Sequence, residues 1–157
     1  MTAALEEARL AYEAGETPVG AVVVKDGRVI AQAHNLRETT LDPTAHAEVL
    51  AIRAAAARLK TRRLTGCDLY VTLEPCPMCA GAMVMAGLER CYFGARDPRQ
   101  GCGESVYALT QEPSFSHRLP CVGGLMEREA AALLSRFFQE RRGPAGEQSF
   151  PQDGQGR

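Results

Sequence analysis

The segment "TLEPCPMCAGAM", residues 72–83, places two cysteines three positions apart, where a strand gives way to a helix. The preceding "DLYVTL" (68–73) is rich in β-branched and aromatic residues, which favours a buried strand, and a helix is expected over 77–86. Zinc in proteins takes four ligands, or three ligands and an open position. Cys76 and Cys79 supply only two, so the rest of the chain must show whether this pair belongs to a metal site.

Upstream of this segment, the sequence predicts a helix, a hairpin and a second helix. A helical apolar spacing begins at Ala4 and stops at Gly15, a residue type favoured after a helix end. The runs "PVGAVVV" and "VIAQAH" flank "KDGR", whose Asp-Gly pair is a hairpin turn signal. The stretch "NLRETTLDPT" is expected to be a loop. The run that ends at Lys60 predicts a helix with Asp42 as its N-cap and Pro43 at its first position.

Downstream, a short strand is predicted at 90–95, and a final helix carries an apolar stripe that starts at Met126. Residues 96–117 are rich in glycine, proline and polar side chains, so we expect mostly loop with a short helical piece. A hairpin followed by alternating helices and strands predicts an α/β fold, a sheet with helices on its faces, in one domain over residues 1–142. Residues 143–157 have too few apolar side chains to pack and are expected to be a disordered tail.

The chain has 157 residues, of which 45% are hydrophobic and 24% charged, with a formal net charge of −1. This length and composition predict one compact soluble domain. The net charge argues against a protein that binds polyanions through an overall basic field. The longest apolar runs are far too short to span a membrane, and the N-terminus lacks the apolar stretch of a signal peptide. We therefore expect a cytoplasmic protein that does not bind membranes.

The six cysteines are even in number, but in a chain of cytosolic character they indicate reduced thiols or metal ligands sooner than disulfides. Three of them border apolar stretches and are expected in the core: Cys67, Cys91 and Cys121. Cys102 lies in the turn-like "QGCGES" and is expected to be an incidental thiol.

The Cys76–Cys79 pair has three interpretations: a redox pair at a helix start, half of a four-cysteine zinc site, or part of a catalytic metal site. The sequence contains no second C-x-x-C, which counts against the four-cysteine site. A third ligand is available upstream, because His46 opens the preceding long helix. In an α/β sheet the starts of helices lie near the carboxyl ends of the strands, so the histidine and the two cysteines are able to converge.

Three protein ligands leave the fourth tetrahedral position open for water, which is the arrangement of a catalytic zinc site. Glu48 lies two residues after His46, about 200° away around an ideal helix, so periodicity alone does not bring its carboxylate to the metal. An acid near a helix start also has a purely structural interpretation, since it interacts favourably with the helix dipole. The redox alternative remains open at this point.

Motifs along most of the chain extend this pattern. "HAE" followed by "PCPMC" matches the H-x-E…P-C-x-x-C signature of zinc deaminases, and "GETPVGAVVV", "HNLRE", "DPTAHAEVLAIR" and "YFGARDPRQGCGES" add to it. From about Ala4 to Arg142 the chain resembles the bacterial tRNA-specific adenosine deaminases, of the zinc-dependent cytidine and deoxycytidylate deaminase superfamily. The resemblance implies a three-layer α/β/α sandwich with a central mixed sheet. It also implies one zinc ion per subunit, a homodimer, and deamination of the wobble adenosine in a tRNA anticodon stem-loop.

Matched residue by residue, the resemblance implies a role for each position of the site. The implied metal ligands are His46, Cys76 and Cys79. Glu48 is the implied proton shuttle. The implied substrate contacts are Asn35, which holds the flipped nucleotide, together with Ala47, Val19, Gly20 and Asp97. The implied RNA contacts lie on the final helix and are Phe137, Phe138, Arg141 and Arg142.

The metal motif by itself does not separate an RNA deaminase from a deaminase of a free base or nucleotide, such as guanine, cytosine or deoxycytidylate. The flanking "DPTAHAE" and "GARD" and the basic final helix favour RNA. The chain departs from the family in "LTQEPSFSH", where Glu112 and Ser114 stand in a region that often carries histidine. A redox protein and a structural zinc module are the alternatives from other functional classes.

Overall fold

The structure is a computed structural model that describes residues 1–142, so the tail predicted at 143–157 lies outside the described residues. In chain order the elements are α1 (Thr2–Glu13), β1 (Gly20–Lys25), β2 (Arg28–His34), α2 (Arg37–Thr40), α3 (Ala47–Leu59), β3 (Cys67–Leu73), α4 (Pro77–Ala86), β4 (Arg90–Ala95), a 3₁₀ turn (Leu109–Gln111), β5 (Cys121–Val122) and α5 (Glu127–Arg142). The predicted helices and strands are therefore present, and the loop predicted over 96–117 contains only the short 3₁₀ turn. The loop predicted over 35–44 is instead interrupted by the one-turn helix α2.

The five strands form one mixed sheet in the order β2-β1-β3-β4-β5. Strand β1 runs antiparallel to both β2 and β3, whereas β3, β4 and β5 run parallel to one another. Helices α1 and α5 contact each other and one face of the sheet, and helices α3 and α4 contact each other on the opposite side. The predicted α/β/α sandwich with a mixed sheet is confirmed.

The apolar core is divided between the two faces of the sheet. The larger cluster lies beneath α3 and α4 and includes the fully buried Leu69, Val71 and Met83. A smaller cluster joins Leu5 of α1 to Ala130 of α5. Burial of this apolar surface is the main favourable contribution to folding. Strands β2 and β3 run in the same direction, since both are antiparallel to β1, so the helices α3 and α4 that follow them begin at the same end of the sheet.

Local turn chemistry accounts for the hairpin and for the end of α1. Asp26 and Gly27 have φ values of 50° and 72°, as a two-residue turn with positive φ at both positions requires. Gly15 has a φ of 76° directly after the last turn of α1. The predicted turn and the predicted helix stop are both confirmed.

The predicted start of the long helix is wrong by four residues. Asp42 does not cap α3; its Oδ1 accepts hydrogen bonds from the backbone N–H and the hydroxyl of Thr44, at 2.8 and 2.7 Å. This local turn satisfies the aspartate, and His46 has an extended backbone, with φ and ψ of −74° and 148°. Helix α3 therefore begins at Ala47, and His46 itself occupies the N-cap position.

The cysteine predictions are largely confirmed. Cys67 and Cys91 are completely buried, and Cys121 is half-buried in β5, where it pairs in register with Cys91. Cys102 lies in a turn, as predicted, but it is 1% exposed and belongs to the larger apolar cluster, so it is also a core residue. Strand β5 was not predicted, because two residues carry no readable alternation.

Among residues 1–142, no helix has both the length and the apolar character needed to cross a membrane.

Candidate active site

Three side chains, which lie at the starts of two helices, converge at one end of the strands of the sheet. The sulfur atoms of Cys76 and Cys79 lie 3.6 and 3.5 Å from Nδ1 of His46, and the three atoms all lie within 4.8 Å of one another. A tetrahedral zinc ion at its usual bond lengths separates a nitrogen ligand from a sulfur ligand by about 3.6 Å. The structure thus brings together the three residues that the sequence singled out, with a spacing that fits zinc.

The backbone at the two helix starts explains why these side chains face each other. His46 is the N-cap of α3, Cys76 is the N-cap of α4, and Cys79 lies in the first turn of α4. In the described chain, neither cap residue uses its side chain to cap its own helix, so both side chains point to the shared site. The positive end of the α4 dipole also favours an anionic sulfur at this position.

The two thiols differ in acidity because they are hydrogen-bonded to each other. Hydrogen bonds from Cys79 and His46 lower the pKa of Cys76 to about 4, so this sulfur is a thiolate at neutral pH. The hydrogen bond that Cys79 donates, together with burial, raises the pKa of the Cys79 thiol. Binding a divalent cation allows both sulfurs to be thiolates at once. An imidazole and two thiolates are a donor set that suits zinc.

Glu48 is buried beside the converging ligands. Its side chain lines the same pocket as His46 and Cys76, it is 3% exposed, and burial raises its pKa to about 7. Its Oε2 atom accepts no hydrogen bond from any residue within 1–142. A buried carboxylate oxygen without a partner is costly, and such groups concentrate at functional sites. The 200° separation expected on an ideal helix does not apply, because His46 precedes the helix.

A cavity of about 90 Å³ lies between these residues and the loop that follows β4. Four of the substrate contacts implied by the resemblance line it, namely Val19, Asn35, Ala47 and Asp97. Its wall also includes Thr17, Arg37 and Gln100, which sequence reasoning missed. Arg37 and Gln100 lie in segments predicted as loop, and Thr17 lies between a predicted helix end and a predicted strand, so no periodicity pointed to any of them.

Gly20 does not line the cavity, contrary to its predicted position. Its backbone N–H donates to Oγ1 of Thr72 at 3.1 Å. A Cβ atom at this position would lie 2.0 Å from the carbonyl oxygen of Ala4 and 2.5 Å from the backbone nitrogen of Ala8. Glycine is therefore needed here because α1 packs directly on β1, so the role of Gly20 is in packing.

Two buried carboxylates that sequence reasoning did not assign hold the walls of the cavity. Glu74 accepts hydrogen bonds from the backbone N–H groups of Asp97, Glu104 and Ser105, at 3.0, 2.7 and 2.7 Å, and from the Ser105 hydroxyl. Burial raises the pKa of Glu74, but these hydrogen bonds outweigh burial and lower it overall. Glu16 is fully buried and contacts Asn35. The only sequence signal for either residue was an acid beside apolar and proline residues.

The cavity opens into a groove of about 900 Å³ that runs along α5. Thr17, Arg37 and Asp97 line both spaces, among other shared residues. The basic side chains along the groove are Arg37, Arg96, Arg99, Arg141 and Arg142. A protein with a net charge near zero thus concentrates positive charge at one opening.

The four predicted RNA contacts on α5 do not all lie on one exposed surface. Phe138 is 46% exposed and lines the groove with Arg141 and Arg142. Phe137 is 5% exposed and packs edge-on against Tyr12 of α1, with the Arg141 guanidinium 4.5 Å above its ring. The predicted contact surface therefore fits Phe138 and does not fit Phe137, which attaches α5 to α1.

Purified protein is expected to contain one zinc ion per chain, and Cys79→Ala is expected to lose it, because two remaining ligands do not satisfy zinc. The control is Cys67→Ala. It removes a buried sulfur at the start of β3, at the opposite end of the strand from Cys76 and Cys79, and it should retain the metal. Elemental analysis of the three proteins measures this directly. A metal content near zero in the wild type, with Cys76 and Cys79 joined as a disulfide, would support the redox alternative instead.

Comparison with known proteins agrees with this geometry. A family model for the cytidine and deoxycytidylate deaminase zinc-binding region matches residues 1–95. The tRNA-specific adenosine deaminase of Bacillus subtilis is 51% identical over 142 residues, which are 90% of this chain and 88% of that protein.

Solved structures give the same result. A structure from work on A-to-I editing by tRNA:A34 deaminases at the wobble position of transfer RNA superimposes with a TM-score of 0.82 and 48% identity, over 85% of this chain and 97% of that one. The guanine deaminase of Nitrosomonas europaea has a TM-score of 0.75 and 27% identity, over 85% and 80% of the two chains. The chain belongs to the zinc-binding cytidine and deoxycytidylate deaminase family, on the branch that includes the tRNA-specific adenosine deaminases.

Proposed function

We propose that this protein deaminates adenosine to inosine at the wobble position of a tRNA anticodon, by zinc-dependent hydrolysis. Two relatives that are 51% and 50% identical to this chain act, by name, on tRNA adenosine. One geometric observation carries the proposal: the cavity that contains the metal-ligand group and Glu48 opens directly into an arginine-lined groove. A free base needs only the cavity, whereas a folded RNA also presents phosphates to the groove.

His46, Cys76 and Cys79 would hold the zinc ion. When bound, zinc lowers the pKa of a coordinated water to about 7, which supplies a nucleophile near neutral pH. Glu48 is the proposed proton carrier. It takes a proton from the attacking water, delivers it to N1 of the adenine as C6 is attacked, and assists the departure of ammonia. The unpartnered Oε2 of Glu48 is available for these transfers because the described chain gives it no hydrogen bond.

The small size of the cavity determines how the base must arrive. A space of about 90 Å³ beneath the groove does not admit a base that is paired or stacked in RNA. The target nucleotide is therefore flipped out, at a cost of a few kcal/mol in unstacking. An anticodon loop lowers this cost since its bases are already partly splayed. Asn35, Val19 and the backbone of Ala47 are proposed to hold the flipped base, with Asp97 near its ribose.

The groove is proposed to bind the phosphates around the flipped nucleotide. Arg96 is already paired with Glu104 at 2.7 Å, and Arg141 donates to the carbonyl oxygen of Gly15, so these two also serve the fold. Arg99 and Arg142 also line the groove and add to its positive surface. Affinity for RNA then depends on this local surface and not on the net charge of −1.

A homodimer in the cytoplasm is the proposed working form. Helix α4 has the sequence PMCAGAMVMA, which is apolar on every side, and its Met85 is 80% exposed. A helix that is apolar all round is normally covered on all sides. A second copy of the chain is the proposed cover, as the resemblance implies. Sedimentation of the purified protein at micromolar concentration distinguishes this dimer from a monomer.

The second candidate is a deaminase of a free base, and the likeness to the guanine deaminase of Nitrosomonas europaea motivates it. We expect the protein to form inosine in an anticodon stem-loop RNA that carries adenosine at the wobble position. Free guanine, cytosine and deoxycytidylate should release little or no ammonia at the same enzyme concentration, because none of them is an adenosine held in place by RNA phosphates along the arginine groove. Turnover of guanine without turnover of RNA would replace the proposed function by the second candidate.

Glu48→Ala is expected to abolish inosine formation, lowering the rate by 10²–10⁴-fold or more, the typical contribution of a general acid–base group. Zinc should be retained because Glu48 is not among the three ligands. Thermal stability should not fall, since the substitution removes a buried carboxylate oxygen that lacks a partner. Zinc content, Tm and inosine formation are measured on one preparation.

The matched control is Glu7→Ala on α1. Glu7 is also a buried carboxylate, but it accepts hydrogen bonds from Gln32 and His34, at 2.8 and 2.7 Å, away from the cavity. Its loss should lower Tm and leave turnover of the folded protein unchanged. Substantial activity in zinc-loaded Glu48→Ala would rule out the proton-carrier role.

Replacing both Arg99 and Arg142 by glutamine is expected to weaken RNA binding and to flatten its salt dependence. Each lost phosphate contact reduces the slope of log K against log salt by about 0.7 to 0.9, so the pair should reduce it by roughly 1.5. The control replaces Arg62 and Arg63, which follow the far end of α3 and do not line the groove. Equal slopes for the wild type and the groove variant would show that RNA does not contact these arginines.

A further inference from the structure

Glu16 is a fully buried carboxylate to which the proposed reaction assigns no part. It follows the left-handed Gly15 at the end of α1, and its backbone N–H donates to the carbonyl oxygen of Ala11 at 2.9 Å. Its two carboxylate oxygens have different partners. Oε1 accepts from the backbone N–H of Thr39 at 2.6 Å, and Oε2 accepts from Nδ2 of Asn35 at 3.2 Å.

The carboxylate is ionised and rigidly held. Burial raises the pKa of Glu16, but hydrogen bonds from Thr39 and Glu38 and the charge of Arg141 outweigh burial, so the pKa lies below its ordinary value. Arg141 also donates to the carbonyl oxygen of Gly15. An ionised carboxylate only accepts hydrogen bonds. Any side chain that faces Glu16 must therefore present a donor to it.

Asn35 is the side chain that meets this requirement at the cavity. It is 5% exposed and lines the cavity, and its backbone N–H is already used by the carbonyl oxygen of Val19 at 3.1 Å. If the side-chain amide were reversed, its Oδ1 would face a carboxylate oxygen in a buried setting, and both acceptors would be unsatisfied. Such a loss is costly inside a protein, so only one of the two amide orientations is stable.

We infer that Glu16 is a positioning residue that fixes the Asn35 amide with its NH₂ group toward Glu16, leaving Oδ1 to accept a hydrogen bond from the flipped nucleotide. The group that Asn35 reads is then a donor, an amino or hydroxyl group of the nucleoside. This inference rests on the proposed function, because Asn35 is a substrate contact only if a nucleotide enters the cavity. A buried acid on the segment after α1 thereby determines which hydrogen-bond partner the cavity selects.

Glu16→Gln is the informative substitution because it keeps the shape and reverses one hydrogen-bonding group. The backbone N–H of Thr39 can only donate, so the glutamine oxygen stays on it and the glutamine NH₂ turns toward Asn35. Asn35 must then reverse its amide and present NH₂ to the substrate. We expect kcat/KM for the RNA stem-loop to fall by about 10- to 100-fold, with zinc retained.

A second substitution distinguishes a role of Glu16 in orienting the Asn35 amide from a role in protein stability alone. Asn35→Asp alone places two carboxylates together and should also lose activity. In the double variant of Glu16→Gln with Asn35→Asp, the glutamine NH₂ donates to one oxygen of the introduced carboxylate, and the other oxygen faces the substrate. The double variant carries the same total charge as the wild type, and it should recover about 10-fold or more of the lost kcat/KM, a coupling that independent effects do not produce.

The control is Glu7→Gln, the same chemical change at a buried carboxylate that does not line the cavity. It should leave kcat/KM unchanged. All four variants are compared with the wild type by kinetics, zinc content and Tm, on whichever substrate the wild type deaminates. If the wild type deaminates a free base and does not act on RNA, the proposed function is refuted. The inference about Glu16 is still tested, because the same variants are then assayed on that base.

The inference is overturned if Glu16→Gln matches the wild type, or if Glu7→Gln lowers kcat/KM to the same extent. It is also overturned if the double variant folds and recovers nothing, because Glu16 would then serve stability alone. If Glu16→Gln does not fold by itself, the double variant decides: activity above that of Asn35→Asp supports the inference, and equal or lower activity refutes it.

Discussion

Two helices begin close together at the same end of the sheet, and the rest of the structure depends on this constraint. Helix α3 presents His46 and helix α4 presents Cys76 and Cys79, and the sulfurs lie 3.6 and 3.5 Å from the histidine nitrogen. This spacing requires α3 and α4 to pack on the same face of the sheet, which the apolar cluster beneath them provides. It also requires both caps to be extended, so that each side chain leaves its own helix and points across. The fold therefore serves to bring three ligands within the bond lengths of one metal ion.

Four buried carboxylates show how the chain separates structural from chemical roles. Glu7, Glu16 and Glu74 each accept at least two hydrogen bonds, so their burial is compensated and each one connects segments distant in sequence. Glu48 has an oxygen that no residue within 1–142 satisfies. An unsatisfied buried acceptor is destabilising, and the proposed role of Glu48 as a proton carrier accounts for it. Two of the satisfied carboxylates, Glu16 and Glu74, hold the walls around Glu48, the proposed proton carrier.

The parts of this arrangement that follow from periodicity and residue spacing can be predicted from the sequence. The strands around the Asp-Gly turn, the buried strand before Cys76 and the His-Cys-Cys group all have local signals, and the structure contains each of them. The position of Glu48 had no such signal, because the helix starts after His46 and ideal helical angles do not describe an N-cap. The interpretation of Asp42 was wrong since the same residue type caps helices and closes turns. Glu16 and Glu74 make contacts with residues about twenty or more positions away, which no single-sequence pattern encodes.

The same metal centre serves deaminases of quite different substrates, so selectivity must come from what surrounds it. Here the surroundings are of two kinds, and they act at different stages. In the proposed function, the arginines of the groove, helped by the exposed ring of Phe138, attract and orient a polyanion before any base enters, and salt screens this stage. The buried amide of Asn35, held by Glu16, is proposed to act after the base has entered, where solvent and salt have little access. Since Arg141 contacts the backbone of Gly15 beside Glu16, the two stages share one rigid junction between α1 and α5. The surface proposed to bind RNA along α5 and the cavity proposed to hold the nucleotide therefore belong to a single packed unit.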